Sequence, residues 1–322
     1  MKSVGKCLMS SVVLFFIFIT SSMSQGVSSR PIRLLVAYPP GAATDFNARS
    51  IASKFGENSG QSIIVENRPG ANGIVATSVL NKANPDGHTL MLVDVAHGAN
   101  PALYAQLPYD TAKDFEAIVM TTRVPMVMLV HPSLPFKNIQ QLVVYAKNNP
   151  GKLNYGSAGL GSAMFLAAEL FKQAAHIDMV QIAYKGGAPA LVELVGGQLP
   201  TAFLSLVAGM PQANSGRVRA LASTGGQRSS AFPDLPTISE SGLAGFEFYL
   251  WQAMLSPAGL PGSMVKRLNQ DLNALLKNPE LKERLIQAGN DLMGGSNREA
   301  TVFIQSEVNR YFGIIKPEMR IH

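Results

Sequence analysis

The chain has 322 residues, 27 Lys and Arg against 21 Asp and Glu, five histidines and a single cysteine. One cysteine excludes a disulfide-stapled fold and thiol chemistry built on a pair. The bases are scattered in runs no longer than two, without interleaved aromatics, which argues against nucleic acid and against a membrane surface as partner. The formal charge of +6 is a mild excess that helps gather anionic solutes only weakly at physiological ionic strength.

In chain order, Lys2 and Lys6 precede the apolar run Val12 to Ile19, and Ser22 and Ser24 supply small residues at the minus three and minus one positions. This is the pattern of a cleavable signal peptide over residues 1–24, with cleavage expected before Gln25. The apolar run falls well short of the roughly 20 residues a membrane span needs. Cys7 lies within the leader, so the exported part of 298 residues (322 − 24) is cysteine-free and carries 25 bases against 21 acids, a charge of +4. Its length suits one large domain or two of ordinary size.

"IRLLVAY" reads as a strand, and Phe46, Ala48, Ile51, Ala52 and Phe55 recur at helical spacing. "SIIVEN" follows as a strand, residues 73–83 as a helix, "NPDG" as a turn and "HTLMLVD" as a strand. Strands alternating with helices predict a parallel sheet covered on both faces. "NPALYAQLPYD" reads as an extended connection, ahead of two apolar runs at 116–120 and 125–131 where the chain first crosses between domains.

A second alternating unit comprises a helix over 139–148, strand "LNYGSA", a helix over 162–174, strand "VQIAYKG", a helix over 188–195, and strands "TAFLS" and "VRALAST". "FPDLPTISESG" is the return connection. "FEFYLWQAMLSP" and helices near 263–277, 279–288 and 298–315 hold too few strands to stand alone and complete the first domain. The expected architecture is therefore two α/β lobes, residues 25–130 plus 236–322 and residues 131–235, joined by two crossings. Ligands of open α/β sheets bind beyond the carboxyl ends of the strands, and closure of two lobes around one is a hinge motion.

Two loops are of one kind. "YPPGAATDFNAR" (38–49) and "YGSAGLGSAMFL" (155–166) each run from a strand through small residues into a helix, one per lobe. Small side chains let the backbone approach a ligand, and free N–H groups at a helix start favour negative charge. Thr44 or Asp45 is expected to cap the first helix and Ser162 the second. Two such ends grip a carboxylate without an arginine. As a structural alternative, Gly, Pro and Ala between a strand and a helix are ordinary turn chemistry.

No lysine follows either glycine cluster, as a phosphate loop requires, and the spacing of Gly156, Gly159 and Gly161 is not the dinucleotide fingerprint. There is no GxSxG, no HExxH, and no metal-ligand spacing among His88, His97, His131, His176 and His322. Asp94 and His97 in "DVAH" suit capping or a turn, Arg49 a structural ion pair, and Trp251 either the core or the cleft.

"YPPGAATDFNAR", "VENRPGANG", "NPDGHTL", "NPALYAQLPYD", "YGSAGLGSA", "AYKGGAPALVELVGGQ" and "PDLPTISESG" resemble, in order, segments of the Bug-type receptors, the periplasmic solute-binding components of tripartite tricarboxylate transporters. The resemblance covers essentially all of the chain after the leader. It implies a Venus-flytrap fold holding a small organic carboxylate between the lobes, no cofactor, no catalysis, periplasmic location, and transporter membrane subunits as partners. It further implies that Pro40, Gly41, Ala42, Ala43, Thr44 and Asp45, with Ser157, Ala158, Gly159, Gly161, Ser162 and Ala163, grip one carboxylate through amides, hydroxyls and water. Tyr38, His97, Phe165, Tyr184, Ser205 and Trp251 are weaker candidates for the wall. Such a receptor is expected to act as a monomer. A carboxylate sensor reporting to a membrane protein, or a periplasmic enzyme, is the alternative.

The chain departs from the family at two positions. Phe165 stands where the family commonly has histidine, and Ser205 where a strand commonly ends in aspartate. A less polar distal pocket follows, suited to an acid without an ammonium group, aromatic or otherwise partly apolar.

Overall fold

The computed structural model describes residues 30–321; the proposed signal peptide lies outside them. β1 (Ile32–Val36), α1 (Ala43–Ser59), β2 (Ile63–Asn67), α2 (Ile74–Asn81) and β3 (Thr89–Asp94) follow the predicted alternation, with a 3-10 turn, Ala71–Gly73, before α2. α3 (Val95–Leu103) then runs past Pro101 into the start of the stretch from Asn100 that reads as extended. The proline sits near the helix's C-terminal end, where the missing amide bond costs little further helix.

The two apolar runs after it form one 16-residue strand, β4 (Phe115–Val130), continuous through Pro125. Next come α4 (Ile139–Asn148), β5 (Leu153–Ser157), α5 (Ala163–Ala175), β6 (Met179–Ala183), α6 (Gly187–Val195) and β7 (Thr201–Ser205). α7 (Leu206–Asn214), which contains Pro211, and the short β10 (Asp291–Gly294) are elements that periodicity misses. The remainder is β8 (Arg219–Ser223), β9 (Tyr249–Pro257), α8 (Gly262–Leu276), α9 (Pro279–Gln287) and α10 (Asn297–Ile314).

The strands order as β2-β1-β3-β9-β4-β7-β5-β6, with β8 and β10 also paired to β4. β1, β2 and β3 are parallel, as are β5, β6 and β7. β4 runs antiparallel to every partner, and β9 is antiparallel to β3 and β4. The sheets are thus mixed rather than purely parallel, for a topological reason: β4 carries the chain out of the first lobe and β9 begins its return.

β4 belongs to both lobes. Up to Pro125, which faces Tyr249, it pairs with β9; from Met126, which faces Ser205, it pairs with β7 and β8. On the return, Thr237 bridges to Ser223, Phe246 packs edge-on against Phe171, and the Phe248 N–H donates to the Thr224 carbonyl. Residues 126–130 and 236–248 therefore pair and pack with the second sheet, although the sequence reading puts them in the first lobe. The crossing falls within the two apolar runs where the sequence reading expects it, but nothing in an apolar strand marks the residue at which its partners change.

Ile51 and Phe55 of α1 pack with Leu268, Leu272 and Leu275 of α8 in one buried cluster on the first sheet. Among the described residues no helix is long and apolar enough to cross a membrane.

Candidate functional site

The opening loop enters α1 at Ala42, whose extended backbone (φ −67°, ψ 159°) makes it the N-cap residue, with no side-chain hydrogen bond to the helix start. Neither Thr44 nor Asp45 caps, contrary to expectation, because both lie inside the first turn and their side chains are committed elsewhere. The Asp45 carboxylate, 2% exposed, accepts from the Gly41 N–H at 2.9 Å, from Asn67 Nδ2 at 2.8 Å and from Arg49 Nε at 3.0 Å. Burial pushes its pKa up, but the bonds from Arg49, Gly41 and Asn67 outweigh that and hold it below the ordinary range. Arg49 is accordingly the ion-pair partner that its position suggested. The hydroxyl of Thr44 donates to Asp94 Oδ2 at 3.4 Å and accepts from Gln252 Nε2 at 3.0 Å.

Beneath the loop this contact continues as a buried polar network that sequence reasoning misses. Gln252 Oε1 accepts from Asn47 Nδ2 at 2.8 Å and from the Thr122 hydroxyl at 3.1 Å, and Asn47 also donates to Asn290 Oδ1 at 2.8 Å. Thr44, Asn47, Thr122, Gln252 and Asn290 are all under 5% exposed. The only signal in the sequence is a glutamine inside the apolar run "YLWQAML". The network fixes the first turn of α1 to the β4–β9 pair next to the crossing.

Asp94 caps α3, accepting from the Ala96 N–H at 3.0 Å. Its burial pushes the carboxyl pKa up, and bonds from Tyr38, Ala96 and Thr44 only partly offset that. Tyr38, half-buried, is thereby tied to Asp94 and shares with Asn72, Asp94 and His97 a small cavity of about 10 Å³. Its phenol pKa is raised by burial and by the neighbouring Asp94 charge.

The second loop is supported differently. Ser157, fully buried, accepts from Gln181 Nε2 at 2.7 Å and from the Gly159 N–H at 3.2 Å. Ser162 caps α5 as expected: its hydroxyl accepts from the Phe165 N–H at 3.3 Å and donates to the Gly159 carbonyl at 2.7 Å. Gly159 (φ 98°) and Gly161 (φ 74°) have left-handed backbones that favour glycine. A Cβ on Gly161 would overlap Leu103 at the end of α3 and the Asn72 amide, so this loop touches the opposing lobe.

Asn72 stands in a strained turn. Gly70, Ala71, Asn72 and Gly73 all have positive φ, with Ala71 at 45° and Asn72 at 51°. A reciprocal pair holds it: Asn72 Nδ2 donates to Asn100 Oδ1 at 2.8 Å, and Asn100 Nδ2 to the Asn72 carbonyl at 3.1 Å. Left-handed alanine and asparagine side by side cost energy that the surroundings must offset, which is common beside functional clefts. Tyr38 from the first loop and Gly161 from the second thus both adjoin Asn72.

Of the weaker candidates, Trp251 is wholly buried and donates through Nε1 to Glu307 at 3.0 Å and Tyr311 at 3.1 Å, inside the first lobe. Phe165 is 1% exposed within the main core. Both are core side chains rather than wall, because apolar bulk on an inward helix or strand position is drawn to the core. Ser205 caps α7, accepting from the Ala208 N–H at 3.4 Å. Tyr184 is half-buried and its N–H donates to the Ser157 carbonyl at 2.8 Å. His97 is 3% exposed, stacked on Tyr109 and edge-on to Phe115. Among the described residues no group of three His, Cys, Asp or Glu is placed to hold a metal ion.

The model of the tripartite tricarboxylate transporter family receptor matches residues 47–319. The chain belongs to that family. A relative from Pseudomonas sp. strain P51, described as a UPF0065 protein in the tcbD-tcbE intergenic region, is 36% identical over 288 residues, covering 89% of this chain and 86% of its own. Among solved structures, Rpa4515 of R. palustris with adipate is similar at a TM-score of 0.80 and 33% identity, covering 89% of this chain and 96% of that one. The periplasmic binding protein BugD is similar at a TM-score of 0.76 and 33% identity, covering 88% and 96%. The receptor thus has the two-lobed periplasmic binding protein fold, within a family of solute-binding receptors.

Proposed function

We propose that this protein is an exported receptor, without catalytic activity, that captures a small organic carboxylate between its lobes and delivers it to the membrane subunits of a tripartite tricarboxylate-type transporter. It works in the periplasm as a monomer. The observation that carries the reading is the start of α1, where no side chain caps the amide groups of the first turn and Gly41 leaves open space above its backbone. Unsatisfied N–H groups at a helix start attract an anion. The second loop presents Gly159, Gly161 and the capped start of α5 from the other lobe. Adipate in the R. palustris structure supports a carboxylate ligand by analogy.

The ligand class is narrower than carboxylates in general. Ser205 spends its hydroxyl on capping α7, and no acid stands there to pair with an ammonium group. An acid without an amine, such as a linear or aromatic dicarboxylate, therefore fits better than aspartate or glutamate. Phe165, being core, adds nothing to that argument.

The test is thermal shift and calorimetry against mono-, di- and tricarboxylates, aromatic acids and acidic amino acids. A ligand at a hundredfold excess over its dissociation constant adds about 2.7 kcal/mol of apparent stability. A saturable shift with an amine-free acid supports the reading, tight aspartate or glutamate binding overturns the narrower class, and steady consumption of the ligand overturns the receptor role.

A further inference from the structure

His97 lines two cavities. One is the small space below the opening loop that it shares with Tyr38. The other, with a volume of about 40 Å³, contains none of the residues of the two loops and is walled by Thr111, Phe115, Leu255, Ile304 and Val308 together with His97. Ala112 and Gln305, both exposed, stand at its mouth and give access from solvent.

Two of the residues that line this crevice carry buried polar atoms with no hydrogen-bond partner, Nδ1 and Nε2 of His97 and Oγ1 of Thr111. Buried polar groups in folded proteins are nearly always paired, with protein, water or ligand. No charged side chain lines the crevice, and desolvation holds the imidazole pKa down at about 4, so the ring is neutral at pH 7. A neutral imidazole offers one donor and one acceptor, and a hydroxyl offers both. Most of the remaining wall is hydrocarbon, with the Gln305 amide at the mouth and Thr301 committed through its hydroxyl to the Asn297 carbonyl. Such a lining repels an acid and suits a molecule with one hydroxyl and a short apolar body.

We propose that the crevice between α3, β9 and α10 is a second binding site, separate from the carboxylate cleft, for a small neutral alcohol held between His97 and Thr111. One water needs roughly 10–15 Å³ of such space, so about three or four non-hydrogen atoms fit. The contact to His97 places the occupant against the ring that also borders the cavity below the opening loop.

The test is NMR of protein labelled with 15N-histidine, titrated with isopropanol and, separately, with acetate. The expected result is a saturable movement of the His97 ring nitrogens with isopropanol and none with acetate. Thr111→Val should weaken the apparent affinity about tenfold, the order expected for losing one buried hydrogen bond, with the histidine spectrum otherwise unchanged. Linear shifts shared by all the histidines, an affinity unaltered by Thr111→Val, or isopropanol-soaked crystals with water alone between His97 and Thr111 would each overturn the site.

Discussion

The two loops share a sequence pattern but not a means of support. The first is braced from within its own lobe, by Asp45 against Gly41, Asn67 and Arg49 and by Thr44 against Gln252 and Asp94. The second is held by its own hydroxyls, Ser157 and Ser162, and its Gly161 abuts the other lobe. The glycines carry the difference. Gly41 has nothing within 4 Å of where a Cβ would stand, whereas the same position on Gly161 is filled by Leu103 and Asn72. The first loop is thus held rigid with its backbone open at Gly41, and the second is a surface whose surroundings depend on how the lobes meet.

The strongest way to break this comparison is Gly161→Leu. Its side chain needs the space that Leu103 and Asn72 fill where the lobes meet, so carboxylate affinity by calorimetry should fall at least about 100-fold, roughly 2.7 kcal/mol, while the unliganded protein, less stable by the strain of a left-handed leucine, still unfolds cooperatively. Unchanged affinity would mean that contact between Gly161 and the first lobe plays no part in binding.

Gln252→Leu attacks the brace of the first loop instead. It strands Thr44, Asn47 and Thr122 without their shared partner in a buried site, and a loss of about 2–4 kcal/mol is expected in urea unfolding, at a cost of about 1–3 kcal/mol per stranded group with partial relaxation. Binding should weaken too, since the first turn of α1 loses its anchor.

Next in size is a pH effect centred on His97. Its folded pKa of about 4 lies below the ordinary 6.5, so the unfolded chain takes up the proton first and stability falls as pH drops from 6.5 towards 4. Between pH 7 and 4.5 about 2–3 kcal/mol should be lost through this residue, and His97→Phe should remove that part of the slope in parallel urea titrations.

Gly41→Ala sharpens the contrast with Gly161. With open space around it, the methyl costs only the strain of a left-handed alanine, about 1 kcal/mol, yet it stands where a ligand would approach the backbone. About a tenfold loss of affinity is expected, far less than for Gly161→Leu. Smallest is Ser162→Ala, which removes the cap of α5 and should cost about 1 kcal/mol in thermal unfolding.

Much of the fold is legible in the sequence because burial imposes a period. Ile51 and Phe55 mark the inner face of α1, and "HTLMLVD" reads as a buried strand for the same reason. α3 and α7 escape because Pro101 and Pro211 read as breaks, whereas each sits in the later part of a short helix. β10 escapes because four residues carry no period. In the site, the small-residue loops are legible from composition, but their supports are not. Asn47, Gln252 and Asn290 are 205 and 243 positions apart along the chain from the first to the others, and nothing local announces that they meet.

The alternation of strands and helices, the two matching loops and the family are all written in local pattern or in motif order, and so could be read before any contact was known. Tertiary structure alone decided that β4 serves both lobes, that Thr44 and Asp45 brace rather than cap, that Trp251 and Phe165 are core, and that Gly161 meets Asn72. Each of these depends on what lies opposite a residue in space. A side chain's own chemistry limits the partners it can accept, but only the packing of distant segments supplies them.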